Sequence, residues 1–446
     1  MAHKTSRRQF LQTSAAVGVG FWVAGGVMGQ ESKSPNEKIS FAAIGTDGKG
    51  RSDSRNAARH GPMVAVCDVD KKKLEAAKNF FPDAKQYTDF REMLDEMGDK
   101  IDAVTVSTPD HTHAVAAVKA MKMKKHCYCQ KPLTHTIYEA RVMGEVARAN
   151  GVVTQMGNQG TSENGVRKAA AILRSGKLGT ASEVHVWTNR PIWKQGIERP
   201  EPAEVPSNLD WNLWLGPAPE RPYTTLYHPF SWRGWWDFGT GALGDMACHT
   251  LNMPFMGLEL RDPISVQATT SGHNQDSYPQ WSVIKFEFPA NDWRPAVKLF
   301  WYDGGKRPDT QMLEGKTPSS SGCLIVNEKG KLYSPNDYGA EFEVLGGKVP
   351  DAEFEAAPGQ ELGTDERHFN EFALAIQGKV KARSNFPDYA GPLTETILLG
   401  NLAVWVATEA DKEGQKVEWD AKNLKATNIE GLEKIVKAPY REGYSL

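Results

Sequence analysis

Short apolar runs alternate with amphipathic segments between residues 37 and 159 of this 446-residue chain. The runs are rich in Val, Ile, Ala or aromatic residues, as buried strands are, and predict strands at 39–45, 63–68, 103–108, 126–130 and 152–157. The segments between them predict helices at 71–80, 90–97, 113–123 and 137–149, the last ended by Asn150-Gly151. This alternation predicts a doubly wound parallel sheet over residues 36–160, an α/β domain.

The pattern changes after residue 160. One helix, 166–174, is followed by alternating strands without helices between them, at 182–187, 264–270, 281–288 and 297–302. Two helices are predicted late in the chain, at 366–377 and 392–409. Residues 161–446 are therefore predicted as an α+β domain with a large, mostly antiparallel sheet. A loop-rich insertion at 191–232 is long enough to be a binding or lid segment.

The first 35 residues form a separate segment. Paired arginines in Ser6-Arg7-Arg8-Gln9-Phe10-Leu11 precede an uncharged, small-residue run that reaches Gly29. This arrangement is typical of a twin-arginine export signal and predicts a periplasmic or otherwise exported protein. An N-terminal membrane tether is the alternative, and the several glycines between Gly18 and Gly26 argue against it because glycine weakens a spanning helix.

The bulk composition excludes some partners. Charged residues make up 24% of the chain and the net charge is -2, so nothing draws the protein to nucleic acid or to acidic lipid. The five cysteines are odd in number and include no Cys-x-x-Cys pair, which indicates buried structural thiols and no metal site. A small-molecule ligand fits this composition better.

A glycine-rich turn follows the first predicted strand. Its residues Gly45, Asp47, Gly48, Lys49 and Gly50 approach the Gly-x-Gly-x-x-Gly pattern of a Rossmann dinucleotide site, with Asp47 in place of the second glycine. Such a turn places unpaired N–H groups of a helix terminus near a phosphate. Alone, the turn is also compatible with an ordinary strand end.

Asp68 supports the nucleotide interpretation. It ends the second predicted strand, and an acid about 20 residues beyond the first glycine binds the adenosine ribose of NAD. The same residue is also compatible with a helix N-cap before Lys71. NAD is therefore the predicted cofactor, while Lys71 and Lys72 keep NADP open because they could meet its 2'-phosphate.

Other polar residues follow the fourth and fifth predicted strands. Ligands of open α/β sheets bind beyond the carboxyl ends of the strands. We therefore expect these residues to face the cofactor: Thr108, Pro109, His111, His113 and Lys131.

Three short motifs together carry a family resemblance. They are Thr108-Pro109 with His113, Lys131-Pro132, and Gly244-Asp245 with His249. With the glycine-rich turn, the chain from Lys38 onward resembles the Gfo/Idh/MocA family of NAD(P)-dependent oxidoreductases. That family usually has Glu-Lys-Pro at the second motif, and this chain has Gln130 in place of the acid.

The resemblance implies roles for Lys131, Asp245 and His249. His249 would be the acid or base, Asp245 would bind a neighbouring hydroxyl or orient the histidine, and Lys131 would bind the reacting oxygen and the nicotinamide ribose. The spacing of Asp245 and His249 places both on one face of a helix, and histidine titrates near neutral pH. A non-catalytic i,i+4 pair is the alternative, and a metal site lacks an evident third ligand.

The segment before Asp245 is dense in aromatic residues. Tryptophan faces stack on the apolar faces of sugar rings, while neighbouring polar groups bind hydroxyls. Aromatic packing or a subunit contact is the alternative for any single tryptophan. We expect a carbohydrate substrate bound by His228, Arg233, Trp235, Trp236 and Asp245.

Export and cofactor use together predict a tightly bound cofactor, since no free NAD pool is expected outside the cytoplasm. Two catalytic outcomes fit. One is net oxidation or reduction of a sugar or polyol, and the other is a redox-neutral glycosidase that oxidises its substrate transiently, eliminates the leaving group and then reduces the sugar again. A nucleotide-carrying binding protein without catalysis is a further hypothesis. Family analogy implies a homodimer or homotetramer.

Overall fold

The structure is a computed structural model that describes residues 38–446. The predicted export signal lies outside the described residues. The first domain has a fully parallel six-stranded sheet with the spatial order β3-β2-β1-β4-β5-β6. Its strands are β1 Phe41–Ile44, β2 Met63–Cys67, β3 Lys85–Tyr87, β4 Ala103–Val106, β5 His126–Cys129 and β6 Thr154–Met156. The predicted doubly wound domain is therefore confirmed.

Helices connect these strands on both faces of the sheet: α1 Lys49–Ala57, α2 Lys71–Ala77, α3 Phe90–Met97, α4 Asp110–Lys122 and α5 Ile137–Asn150. Their ends follow local capping chemistry. Thr136 and Glu139 form a capping box at the start of α5, and Gly151 ends it in the left-handed conformation, as predicted. Asp70 and Asp89 accept backbone N–H groups at the starts of α2 and α3.

The second domain contains a nine-stranded sheet with the order β13-β12-β11-β7-β10-β9-β8-β14-β15. Only β7 and β10 pair in parallel, so the sheet is mostly antiparallel, as predicted. Its strands are β7 Ala181–Trp187, β8 Ser265–Thr270, β9 Ser282–Phe288, β10 Val297–Tyr302, β11 Gly322–Asn327, β12 Gly330–Ser334, β13 Glu343–Leu345, β14 Val417–Asp420 and β15 Lys425–Ala426.

The second domain also contains these helices: α6 Asn164–Arg174, α7 Trp211–Leu215, α8 Gly241–Thr250, α9 Asn252–Leu258, α10 Thr364–Ile376, α11 Gly391–Val406 and α12 Glu433–Val436. Helix α8 has every residue buried. A Cβ at Gly400 of α11 would lie 2.6 Å from Leu243 of α8 and 2.7 Å from Phe286 of β9. Gly400 therefore lets α11 pack tightly between α8 and the sheet.

The insertion 191–232 crosses the first domain. The Lys71 N–H donates to the Asn208 carbonyl (2.9 Å), and the Asp210 N–H donates to the Val69 carbonyl (3.0 Å). The Asn208 side chain donates to Asp70 (2.7 Å). Its aromatic residues form a buried cluster with Trp235 and Phe238. The insertion is thus held against the first domain at the carboxyl end of β2.

Two further features concern helix hydropathy and the cysteines. No helix within residues 38–446 combines the length and apolar character needed to cross a membrane. All five cysteines are buried and none forms a disulfide.

Helix α10 attaches the second domain to the first. The ring of Phe369 stacks on Tyr128 of β5 at 4.0 Å between centroids, and both side chains are buried. We expect Phe369→Ala to lower the free energy of unfolding by about 3–5 kcal/mol, because it leaves a cavity between the domains. The exposed Phe354, changed to Ala, is the matched control and should leave the urea midpoint unchanged. Equal midpoints for both variants in tryptophan-monitored urea unfolding would contradict this packing.

Candidate active site

The glycine-rich turn joins β1 to α1 in a conformation that only glycine adopts easily. Gly45 and Gly48 have φ of 88° and 55°. A Cβ at Gly45 would lie 2.4 Å from the Ser107 carbonyl oxygen, and a Cβ at Gly50 would lie 2.3 Å from that of Gly45. A Cβ at Gly48 would meet no atom within 4 Å, because Gly48 faces an open cavity of about 570 Å³, called the cavity below. The turn therefore has the close packing and the free backbone that a pyrophosphate needs.

Asp47 is compensated by neighbouring cations. Its carboxylate pairs with Arg51 (2.5 Å) and Lys73 (3.4 Å), and it makes no side-chain bond that caps α1. Partial burial opposes ionisation, but the Gly48 N–H and these cations hold the pKa of Asp47 below its usual value. The acid in the fingerprint thus carries a charge that the protein already balances.

Lys49 lines the cavity and faces α10 as well. Its Nζ donates to Asp365 (2.6 Å) and lies 3.4 Å from the buried Asp53. It is therefore engaged by two carboxylates before any phosphate binds.

Asp68 directly follows β2 and lies on the wall of the cavity. Its Oδ2 accepts from the Thr46 N–H (2.9 Å) and hydroxyl (3.0 Å), and its Oδ1 accepts from the Asp70 N–H (3.0 Å). These bonds hold the carboxylate in place at the cavity wall. The alternative of an N-cap is wrong, because Asp70 caps α2. Lys73 lines this part of the cavity, whereas Lys71 and Lys72 are exposed outside it.

The residues after β4 divide into two groups. Thr108 and Pro109 line the cavity, as expected. His113 does not: its ring nitrogens lie 2.8 Å from the Thr108 carbonyl oxygen and 2.9 Å from that of Pro132. His111 is also buried away from the cavity, 3.0 Å from the Trp214 carbonyl oxygen, and burial lowers its pKa to about 3. Both histidines join loops, which corrects the prediction that they contact the cofactor.

Lys131 and Asp245 form an ion pair between the two domains. Lys131 follows β5 and Asp245 lies on α8, and Lys131 Nζ donates to Asp245 Oδ1 (2.8 Å) and to the Asp245 carbonyl (2.6 Å). Both side chains are largely buried. Burial opposes ionisation of Asp245, but Lys131 and then Arg233 hold its pKa well below the usual range. The carboxylate therefore remains charged at neutral pH.

His249 lies one helical turn beyond Asp245 and also lines the cavity. Burial, reinforced by Lys131, lowers its pKa well below 6.5, while Asp245 acts in the opposite sense. Its Nδ1 is buried and has no hydrogen-bond partner among the described residues. A neutral imidazole at this position can accept a proton.

Sequence reasoning missed Arg190. Its Nε lies 3.5 Å from Asp245 Oδ2, and Arg233 Nε lies 3.2 Å from Oδ1 of the same carboxylate. Arg190 directly precedes the insertion and Arg233 directly follows it, a placement that is visible in the sequence. Sequence reasoning also missed Tyr338, whose ring centroid lies 4.8 Å from that of His249.

These groups share one cavity of about 570 Å³, within the range of small-molecule sites. It extends from Asp68 past the glycine-rich turn to Lys131 and His249, and the insertion contributes His228 and Phe230 to its wall. Within residues 38–446, no group of three or more His, Cys, Asp or Glu side chains is arranged to hold a metal ion.

Comparison with protein families gives two matches that together span these elements. The Gfo/Idh/MocA model described as "Oxidoreductase family, NAD-binding Rossmann fold" matches residues 39–158. The one described as "Oxidoreductase family, C-terminal alpha/beta domain" matches residues 162–446, more than half of the chain. The chain belongs to the Gfo/Idh/MocA oxidoreductase family.

Curated relatives match over shorter stretches. An inositol 2-dehydrogenase of Salmonella paratyphi B is 28% identical over 125 residues, which is 28% of this chain and 37% of that protein. A glycosyl hydrolase family 109 protein of Solibacter usitatus is 32% identical over 154 residues, 30% of this chain and 35% of that protein. This chain thus spans little more than a third of the length of either relative.

Solved structures share the fold over most of the chain. An inositol dehydrogenase homologue from Azotobacter vinelandii, complexed with NADH and myo-inositol, superposes with a TM-score of 0.57 at 16% identity. The match covers 86% of this chain and 98% of that one.

Gln130, where the Gfo/Idh/MocA pattern has an acid, faces an acid from another element. Gln130 Nε2 donates to Asp53 Oδ2 of α1 (2.7 Å), as does the Ser107 hydroxyl (2.8 Å). Gln130 Oε1 accepts from the Lys131 N–H (3.3 Å). A carboxylate of α1, that of Asp53, thus lies beside the position after β5 where the family usually has an acid, and 3.4 Å from Lys49.

The aromatic residues predicted to bind substrate occupy different places. Trp235 is fully buried in the insertion's aromatic cluster, and Trp236 stacks on Tyr278 at 3.8 Å beside a second cavity of about 260 Å³. Neither lines the 570 Å³ cavity, which corrects the prediction for both residues. His228, Arg233 and Asp245 do line it, together with Trp232 and Phe230.

The Gln130–Asp53 contact generates a test. We expect Gln130→Glu to lower the free energy of unfolding by about 1–3 kcal/mol at pH 8, because two buried carboxylates would then face each other. Burial already raises the pKa of Asp53, so the deficit should shrink as the pH falls and one carboxyl is protonated.

The matched control is the double variant Asp53→Asn with Gln130→Glu, which restores one acid and one amide. Thermal unfolding from pH 5 to 8 measures the stability of Gln130→Glu and of the double variant. A double variant as unstable as Gln130→Glu would refute the pairing.

Proposed function

We propose that this protein is an exported oxidoreductase that transfers a hydride between a tightly bound nicotinamide cofactor and a hydroxyl or ketone of a sugar or polyol. One observation carries the proposal: Lys131, Asp245 and His249 line a single cavity with the glycine-rich turn and Asp68. A group that binds a dinucleotide and a group that moves a proton are thus adjacent, as such a reaction requires.

The first domain supplies the cofactor contacts. The N–H groups at Gly48 and the start of α1 would receive the pyrophosphate, and Asp68 would accept the hydroxyls of the adenosine ribose. A nicotinamide bound there supplies the hydride acceptor. The intact Asp68 carboxylate supports NAD over NADP, since it repels a 2'-phosphate, while Lys73 keeps some affinity for NADP.

The second domain supplies the proton chemistry. His249 is neutral at pH 7 and accepts the hydroxyl proton when the substrate is oxidised. Lys131 donates a hydrogen bond to the reacting oxygen and stabilises its developing charge. Asp245 holds Lys131 at 2.8 Å and so orients it.

The insertion supports a retained cofactor. It hydrogen bonds to residues 69–71 directly beyond Asp68, and Trp214 and His228 extend the cavity wall over the nucleotide side. A segment with these contacts must open before a dinucleotide leaves, which slows release. Retention agrees with the export signal proposed for residues 1–35.

A retained cofactor must return to its starting state at each turnover. A second sugar or ketone can reoxidise it. The match to a glycosyl hydrolase family 109 protein favours one further candidate, redox-neutral glycoside cleavage. Release of the leaving group from a chromogenic glycoside without added nucleotide would distinguish that outcome.

Self-association is proposed through the second sheet. One face of the sheet carries half-buried side chains that include Phe300 and Tyr302. Aromatic side chains are common at subunit interfaces, so a dimer or tetramer that covers this face would bury them.

The proposal has a direct test. Mass analysis of ligand released by heating purified protein should detect NAD or NADP, and its absence would refute the proposal.

We expect Lys131→Ala and His249→Ala to lose about 10²- to 10⁴-fold in turnover with the nucleotide still bound. Lys131→Ala should fold, because Arg190 and Arg233 still pair with Asp245. The exposed Lys72→Ala is the control, and full activity in both site variants would refute the assignment.

The pH dependence tests the role of His249. The base must be neutral, and its pKa is depressed, so the active form persists as the pH falls below the ordinary histidine value of about 6.5. We expect kcat/KM to stay level from pH 7.5 to below 6.5 and to fall only under more acidic conditions. Stopped-flow measurement of the rate at which substrate reduces the bound nicotinamide, repeated at each pH, tests this dependence. An acid limb centred at or above 6.5 would contradict a buried neutral His249.

A further inference from the structure

One carboxylate in the cavity, that of Asp245, is contacted by three cationic side chains. Asp245 is contacted by Lys131, Arg190 and Arg233. Lys131 at 2.8 Å already neutralises it. The two arginines therefore bring positive charge to the cavity wall beyond what one buried carboxylate requires.

Two other acids, Asp110 and Asp337, line the same cavity. Asp110 is buried and accepts a hydrogen bond from the Thr240 hydroxyl (2.6 Å), and Asp337 is half-buried. Three cations thus face three carboxyl groups, but neither Asp110 nor Asp337 hydrogen-bonds Arg190 or Arg233. His249 adds no charge, since burial and Lys131 keep it neutral.

The geometry of the two arginines also leaves donors unused. Each approaches Asp245 through Nε, at 3.2 Å for Arg233 and 3.5 Å for Arg190. Among residues 38–446, the terminal amino groups of Arg233 have no hydrogen-bond acceptor, and those of Arg190 have only the side chain of Asn189. Both side chains line the cavity. Guanidinium groups with free terminal nitrogens match the oxygens of a carboxylate.

Arg233 is also held in place by aromatic rings. Its guanidinium lies 4.1 Å from the Trp232 ring centroid and 5.9 Å from those of Trp193 and Phe230. These contacts fix the direction in which its free nitrogens point. Arg190 and Arg233 border the insertion on its two sides, so the two ends of the insertion position both guanidinium groups on the cavity wall.

We infer that the substrate is an acidic sugar whose carboxylate binds Arg190 and Arg233 beside Lys131 and His249. The inference rests on the proposed function and narrows its substrate class from sugars in general to sugar acids of the hexuronate type. An anionic phosphate ester shares part of this chemistry and is separated by the experiment.

Calorimetric titration of the purified holoprotein with matched pairs tests the inference. The pairs are D-glucuronate against D-glucose and D-galacturonate against D-galactose, with D-glucose 6-phosphate as the third arm. We expect the better uronate to bind about 10- to 100-fold tighter than its neutral hexose, the value of one or two charge-assisted hydrogen bonds. Equal binding of each pair, or tightest binding of the phosphate ester, would overturn the assignment.

Arginine variants locate the carboxylate. Arg190→Gln and Arg233→Gln should each weaken uronate binding about 10- to 100-fold and weaken hexose binding much less. Arg190→Lys and Arg233→Lys retain the charge and should weaken binding less, which separates recognition from misfolding. Arg199→Gln is the matched control, since Arg199 lies within the insertion that Arg190 and Arg233 border, pairs with Asp276 and does not line the cavity. Equal loss for uronate and hexose would mean that the arginines bind hydroxyls.

The same samples separate the two proposals. Reduction of the bound nucleotide by sugars reports the oxidoreductase function, and calorimetry reports the charge preference. Reduction by neutral sugars without uronate preference would overturn the acidic-sugar inference alone. Arginine-dependent uronate binding without any nucleotide reduction would overturn the oxidoreductase function alone.

Discussion

The ion pair between Lys131 and Asp245 is the interaction on which the rest of the site depends. It joins the carboxyl end of a strand in the first domain to a buried helix of the second. Burying two charges costs several kcal/mol per ion, and only close geometry with further hydrogen bonds offsets that cost. The protein provides both, with a 2.8 Å contact and a second bond from Lys131 to the Asp245 carbonyl.

Two parts of the fold hold this pair. On one side, His113 lies between the Thr108 and Pro132 carbonyl oxygens and so joins the ends of β4 and β5, next to Lys131. On the other, Gly400 lets α11 pack closely on α8, which carries Asp245 and His249. Burial lowers the pKa of His249, and Lys131 lowers it further while it holds Asp245 ionised, because a cation stabilises a negative neighbour and disfavours a positive one.

Much of the fold was predictable because the periodicity of buried strands and amphipathic helices is local. All five strands predicted in the first domain are present, and so is the glycine C-cap of α5. The missed strands β3, β13 and β15 are short and lie at the edges of their sheets, so their apolar alternation is too brief to detect. Strands β11 and β12 were missed too, although they lie inside the second sheet and have six and five residues. The histidines of the first motif were misassigned for a related reason. A sequence places a residue near a strand end, but the direction of its side chain depends on carbonyl groups from other elements.

The sequence by itself determined the two-domain order, the glycine-rich turn, Asp68 and the helical spacing of Asp245 and His249, because each depends on neighbours within a few residues or on strand–helix alternation. Only the tertiary structure decided which groups meet. It brought Asp53 of α1 to Gln130, buried Trp235 and Trp236 away from the cavity, and placed Arg190 and Arg233 on one carboxylate. These contacts join residues of different elements, and no local pattern encodes them, since they follow from how helices and an insertion pack across two sheets.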